Sequence, residues 1–182
     1  MPTSYEFTPA QAAFIVDHAR GRALELGTGS ARGTHALLAA GCDPIHTLDE
    51  LKEWQLAADA RIKRPGFSAT HNPLKTKGSD KWYDFEPVGL YDTVIIDGPK
   101  TAAYRKFAME VIANSLPLTD WTIIYRAEAK DHGVATVQEW LRVFPIIAVP
   151  THGMWLIMQS LPEWKPDEWD PHNPKSDNDI TP

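Results

Sequence analysis

The stretch Glu25-Leu-Gly27-Thr28-Gly29-Ser-Ala-Arg-Gly33 gathers a carboxylate, a hydroxyl and three glycines around one short turn. Glycines let a backbone bend sharply and approach a bound molecule closely, and a helix starting just beyond them offers N–H groups with no intrahelical partner. Asp49 lies 20 residues past Gly29, at the end of a second apolar run, where a carboxylate can accept hydrogen bonds from both hydroxyls of a ribose. Glu50 is its neighbour and competitor, and either residue could instead cap the helix that starts at Leu51. Further on, Asp97-Gly-Pro-Lys100 closes the β-branched run Thr93-Val-Ile-Ile96. That sets an acid and an amine at a strand's carboxyl end, where open α/β sheets bind ligands. An acid and an amine there could orient a nucleophile and remove its proton.

These residues need elements to hold them. Thr8-Pro9 opens a helix over 9–19, Arg22 to Leu26 forms a strand, and Ala31 to Ala40 forms a helix closed by Gly41. Pro44 to Leu48 is a second strand, Leu51 to Lys63 a helix stopped by Pro65-Gly66, and Phe67 to His71 a third strand. Residues 72–90 look like a long loop with one short helix. The spacing then predicts a strand over Tyr91–Ile96, a helix over Thr101–Ser115, a strand over Trp121–Tyr125, a helix over Gly133–Arg142, and strands near Ile146–Val149 and Met154–Gln159. Strands alternating with helices imply an α/β fold: a doubly wound, mostly parallel sheet of about seven strands with helices on both faces. One domain over residues 1–161 is expected, followed by a proline-rich acidic tail, 162–182, that cannot add a regular element. Trp164 and Trp169 could pin that tail to the domain surface or to a partner.

Composition narrows the function classes. With 43% hydrophobic and 23% charged residues, the 182-residue chain matches a folded globular protein. A net charge of −6 and the lack of a basic stripe disfavour nucleic acid as a partner. The cluster Arg61-Ile-Lys63-Arg64 sits at a helix end, where cations complement the dipole. Cys42 is the only cysteine, so no internal disulfide can form and a reducing, cytoplasmic setting fits. Residues 1–7 lack a basic start followed by an apolar stretch, and no apolar run has membrane-spanning length. His132, His152 and the other histidines show no helical metal-ligand spacing and are expected to be ordinary loop or surface residues.

A hydride-transfer dinucleotide site usually has G-x-G-x-x-G, which would require glycine at 32, where Arg32 stands. The pattern E-x-G-x-G-x-x-x-G after an apolar strand instead resembles motif I of the class I, Rossmann-like methyltransferases. The resemblance covers roughly residues 9–160 and implies S-adenosyl-L-methionine as cofactor. Glu25, Gly27, Thr28 and Gly29 would surround its methionine part, Asp49 its ribose, and Asn72, after the third strand, its adenine, with Asp97 a further cofactor-binding residue. Asp97-Gly-Pro-Lys100 is similar to the D-x-x-K signature of catechol and caffeoyl-CoA O-methyltransferases. There the aspartate binds a divalent metal and the lysine acts as base toward a substrate hydroxyl.

The pattern then departs from that family. Its metal-dependent members carry Asp-Asn after the fifth strand, whereas this chain has Tyr125-Arg126, with Glu128 beyond. Arg126 is no ligand for a hard cation; it could hold an anionic substrate or pair with Asp97 and remove the metal site. Asp-Gly-Pro-Lys also differs from the Asn/Asp-Pro-Pro-Tyr/Phe loop of enzymes that methylate amino groups of bases or glutamine. The expectation is therefore a methyltransferase acting on a small molecule at oxygen, with Asp97 and Lys100 as catalytic residues. A lyase or hydrolase consuming the cofactor, and a non-catalytic cofactor-binding module, stand beside it.

Overall fold

The computed structural model describes residues 6–127 and 130–159, the side chains of 130–132 excepted. The expectations for Glu128, the His132 side chain, and the tail with Trp164 and Trp169 lie outside the described residues.

Seven strands form one sheet in the order β3-β2-β1-β6-β7-β9-β8. In chain order these are β1 Ala23–Leu26, β2 Ile45–Asp49, β3 Phe67–His71, β6 Thr93–Ile96, β7 Thr122–Arg126, β8 Ile146–Thr151 and β9 Met154–Gln159. Strands β3, β2, β1, β6 and β7 are parallel neighbours; β9 runs antiparallel between β7 and β8. From β1 the chain winds outward to β3 and then crosses back to β6, so the winding reverses between β1 and β6. A crevice opens at such a point, beyond the carboxyl ends of the strands.

Every residue of β1, β6 and β7 is buried, as expected of strands covered on both faces. Period-two alternation splits them between two cores. Leu24, Leu26, Val94, Ile96, Ile123 and Tyr125 point to one face. Ala23, Ile95 and Ile124 point to the other, against Ile15 of α1 (Pro9–His18) and Leu37 of α2 (Arg32–Ala39). α3 (Lys52–Arg61) packs on that second face through Ala58, beside Phe67 of β3. The opposite face is covered by α4 (Ala108–Ile112) through Met109 and Ile112, and by α5 (Lys130–Val143) through Val137 and Trp140.

Helix ends follow the local chemistry. Thr8 and Gln11 cap α1 reciprocally: each side chain bonds the other's backbone N–H. α2 ends as the sequence predicts, with Gly41 left-handed at φ 80 and the Gly41 and Cys42 amides donating to the Leu38 and Leu37 carbonyls.

Two segments differ from expectation. Residues 72–90 hold a β-hairpin, β4 (Leu74–Lys77) with β5 (Asp80–Tyr83), turning at Gly78-Ser79. Its Trp82 and Tyr83 enter the core facing Leu24, Leu26 and Leu48, so a hairpin covers this part of the sheet where a long loop with one short helix was expected. The helix expected over Thr101–Ser115 is interrupted: 3-10 turns over Ala102–Phe107 and Ala113–Ser115 flank the five-residue α4. Arg105 lies within the first of these turns with only 1% of its surface exposed. Its guanidinium bonds the carbonyls of Pro99 and Arg126, which fixes the start of the segment to the sheet.

Candidate active site

A cleft of about 340 Å³ opens at the crevice between β1 and β6, within the usual range for small-molecule sites. Gly27 and Gly29 line it from the turn after β1, Asp49, Glu50, Leu51, Glu53 and Trp54 from the end of β2 and start of α3, Asp97, Gly98 and Lys100 from the loop after β6, and Tyr83 from the hairpin. The structure thus brings the glycine turn, Asp49, Asp97 and Lys100, far apart in the sequence, to one cleft.

The turn is shaped by close approach. Gly27 has φ 96, and a Cβ there would stand 2.6 Å from the Gly98 nitrogen, so the loops after β1 and β6 cross in backbone contact. The Gly27 and Thr28 amides both donate to the Leu48 carbonyl, and the Asp97 and Gly98 amides to the Leu26 carbonyl, which locks three strand ends together. Gly29, at φ 44, has nothing within 4 Å of where a Cβ would be and opens into the cleft. Its amide donates to Asp49 Oδ2 at 2.9 Å, while the Leu51 amide donates to Oδ1 at 2.9 Å. Asp49 thus joins the turn to α3, and as the notional cap it also bonds the amide at the start of that helix. Burial pushes its carboxyl above the usual range, against the lowering effect of those amides. Glu50 is raised as well, chiefly by burial, and its Oε2 faces the Lys100 amide at 3.4 Å.

Asp97 is held by cations. Arg126 Nη1 donates to both its oxygens, at 3.2 and 3.1 Å, and Arg105 Nη2 stands 4.0 Å away. Arg126 is itself fixed by the Glu6 carbonyl at 3.1 Å and by the Phe7 ring, 5.0 Å from its centre. A divalent ion does not fit this donor set, because a guanidinium occupies the carboxylate face that the ion would need. Of the two roles open to Arg126 in the sequence, the structure has the pairing with Asp97.

Three residues expected to touch a cofactor stand behind the cleft wall. Glu25 alternates with Leu24 and Leu26 and so points to the α2 face, where it is fully buried. Thr28 is buried, its hydroxyl 2.5 Å from that of Thr47. Asn72 holds the hairpin stem, donating to the Asp84 carbonyl and accepting from Thr70. His152 sits at φ 48 in the turn between β8 and β9, its carbonyl bound by Gln11.

The sequence did not single out Glu6, Leu51, Trp54, Tyr83 and Arg105 as cleft residues. Leu51 and Trp54 remain about two-fifths exposed although large and apolar, a feature visible only once α3 is placed at the rim. Tyr83 is buried beside Gly98, where any side chain would strike its hydroxyl; burial also raises its pKa well above normal.

No protein-family model matches the sequence, and no curated protein does. Among solved structures the chain is similar to an O-methyltransferase from Bacillus cereus in complex with SAH, at 13% identity and TM-score 0.61, covering 86% of this chain and 84% of that one. It is similar to the N-methyltransferase NodS from Bradyrhizobium japonicum, at 13% identity and TM-score 0.54, over 82% of this chain and 90% of the other. It is also similar to precorrin 8w decarboxylase from Methanobacterium thermoautotrophicum, at 12% identity and TM-score 0.60, over 86% and 92%. At these identities the likeness is one of fold: the chain has the mostly parallel, seven-stranded Rossmann-like fold of the class I S-adenosylmethionine-dependent methyltransferases.

Proposed function

We propose that the cleft binds S-adenosyl-L-methionine and that the protein transfers its methyl group to an oxygen of a small-molecule acceptor. The observation that carries this reading is the joined unit of Gly29 and Asp49. An open glycine and a carboxylate on one cleft wall offer a surface for the cofactor backbone beside an acceptor for ribose hydroxyls. A Cβ at Gly29 would project into the space the ligand needs, so the residues fit the group. Leu51 and Trp54 add apolar surface on the same wall, suited to a purine.

The bound cofactor would supply an activated methyl on a sulfonium. The chain's part is to hold the acceptor in line with it and to receive the hydroxyl proton. Lys100, at the cleft rim beyond Asp97, is assigned that proton, taken up on the lone pair of its neutral amine, while Arg126 holds Asp97 in a fixed orientation. Fixed dipoles and charges set in advance stabilise a transition state without reorganising.

Calorimetry with S-adenosylmethionine, S-adenosylhomocysteine and NAD tests the cofactor. Binding of the first two without NAD is expected; NAD binding alone would sink the reading. Incubation with methyl-labelled cofactor and a panel of phenols and alcohols should yield labelled ethers, and Lys100→Ala should lower turnover by about 10²-fold or more. Breakdown of the cofactor with no acceptor present would assign a lyase or hydrolase instead.

A further inference from the structure

Glu25 carries the acidic position of the glycine motif, yet its carboxyl lies beneath the turn. Oε2 accepts hydrogen bonds from Thr34 of α2 and, at 3.0 Å, from Thr47 of β2. Because the Thr47 proton is committed to Glu25, the Thr28 hydroxyl must donate to Thr47, 2.5 Å away. One chain of hydrogen bonds therefore runs from the turn through β2 and β1 to the first turn of α2. The remaining oxygen, Oε1, is buried without a partner and occupies the space where a Cβ at Gly33 would stand, so any side chain there would collide with it.

We propose that Glu25 is a positioning residue: its buried carboxyl ties the turn, β2 and α2 into one unit and sets the shape of the ligand-binding turn without touching the ligand. With Oε2 accepting twice, the acid's proton belongs on Oε1, and a neutral carboxyl is far cheaper than a charge in such a place. Burial pushes the group up to about 8, with Asp97 and Asp49 raising it further and the two threonines opposing. Arg32 of α2 offers no relief: it bonds Glu6 and the Phe7 carbonyl. His35 of the same helix is exposed. The folded state thus holds a proton that the unfolded state releases near 4.5. Stability is largest below that value and falls as pH rises toward and through about 8.

The proposal rests on the cofactor reading for its ligand but not for its stability test. Thermal unfolding and S-adenosylmethionine calorimetry are measured from pH 5 to 9 on the wild type, Glu25→Gln and Thr34→Val. Glu25→Gln, neutral at every pH, should keep affinity within about threefold at pH 7 and lose the fall in Tm between pH 5 and about 8. Wild-type affinity should drop about tenfold between pH 7 and 9, the drop being absent in Glu25→Gln. Thr34→Val, remote from the cleft, should weaken binding about threefold to tenfold by loosening the turn. A Glu25→Gln protein that unfolds normally but loses binding more than tenfold at pH 7 would overturn the proposal, since the carboxylate would then be a ligand contact. An unchanged fall in Tm between pH 5 and about 8 in Glu25→Gln would overturn it as well. If the wild type binds no S-adenosylmethionine, the cofactor reading fails, while the Tm profiles still decide the role of Glu25.

Discussion

Asp49 spends both carboxylate oxygens on backbone amides, one from the turn and one from α3. Each oxygen has a second lone pair, so the group can hold the wall together and still accept from a ligand. Asp49→Ala should leave both amides without their partner and weaken S-adenosylmethionine binding about tenfold or more, equivalent to roughly 1.4 kcal/mol, measured by calorimetry. This residue was legible in the sequence because strand and turn fix its place. The sequence led to Glu25 as a cofactor contact, whereas its alternation with Leu24 and Leu26 turns it to the α2 face. Tyr83, Arg105 and Trp54 were not legible. Trp54 faces the cleft only through the placing of α3 at its rim, Tyr83 and Arg105 reach it from distant segments, and no local pattern marks a tyrosine or arginine that will be carried across the sheet.

At the scale of elements, the crossing of the loops after β1 and β6 leaves room for backbone alone. Gly27→Ala would place a methyl against the Gly98 backbone, which cannot move without breaking the bonds to the Leu26 carbonyl. The positive φ alone costs about 1–3 kcal/mol, so lower stability in urea unfolding is expected together with loss of ligand binding. The parallel strands were readable from their apolar runs and glycine stops. The β4–β5 hairpin was not, because Leu74-Lys-Thr-Lys and Asp80-Lys-Trp-Tyr are short and mostly polar. Their only strong signal is the two-residue Gly78-Ser79 between them, a known hairpin connection. The helix expected over Thr101–Ser115 was misjudged because nothing local announces that Arg105 will be pulled inward to the Pro99 carbonyl.

For the whole molecule, the cleft draws on the ends of β1, β2 and β6, on α3 and on the hairpin, so a ligand there would bridge both halves of the sheet. Such a ligand binds the folded state alone and must stabilise it by mass action, about 2.7 kcal/mol at one hundred times Kd. A rise in Tm of roughly 5–10 °C with S-adenosylmethionine is expected by thermal shift, with none for NAD. No helix of the described residues is long and apolar enough to cross a membrane.

The hairpin found in place of a long loop also alters how the chain can be rebuilt. Its stem is closed by the bonds from Asn72 to the Asp84 carbonyl and from Asp84 to the Pro73 carbonyl, so entry and exit lie side by side whatever the tip contains. Sequence spliced between Gly78 and Ser79 would leave the register of the seven-stranded sheet untouched, because neither arm pairs with it. The tip is therefore a natural port for an epitope or a fluorescent reporter, joined to the wall of the cleft through Tyr83 at the base of its stem.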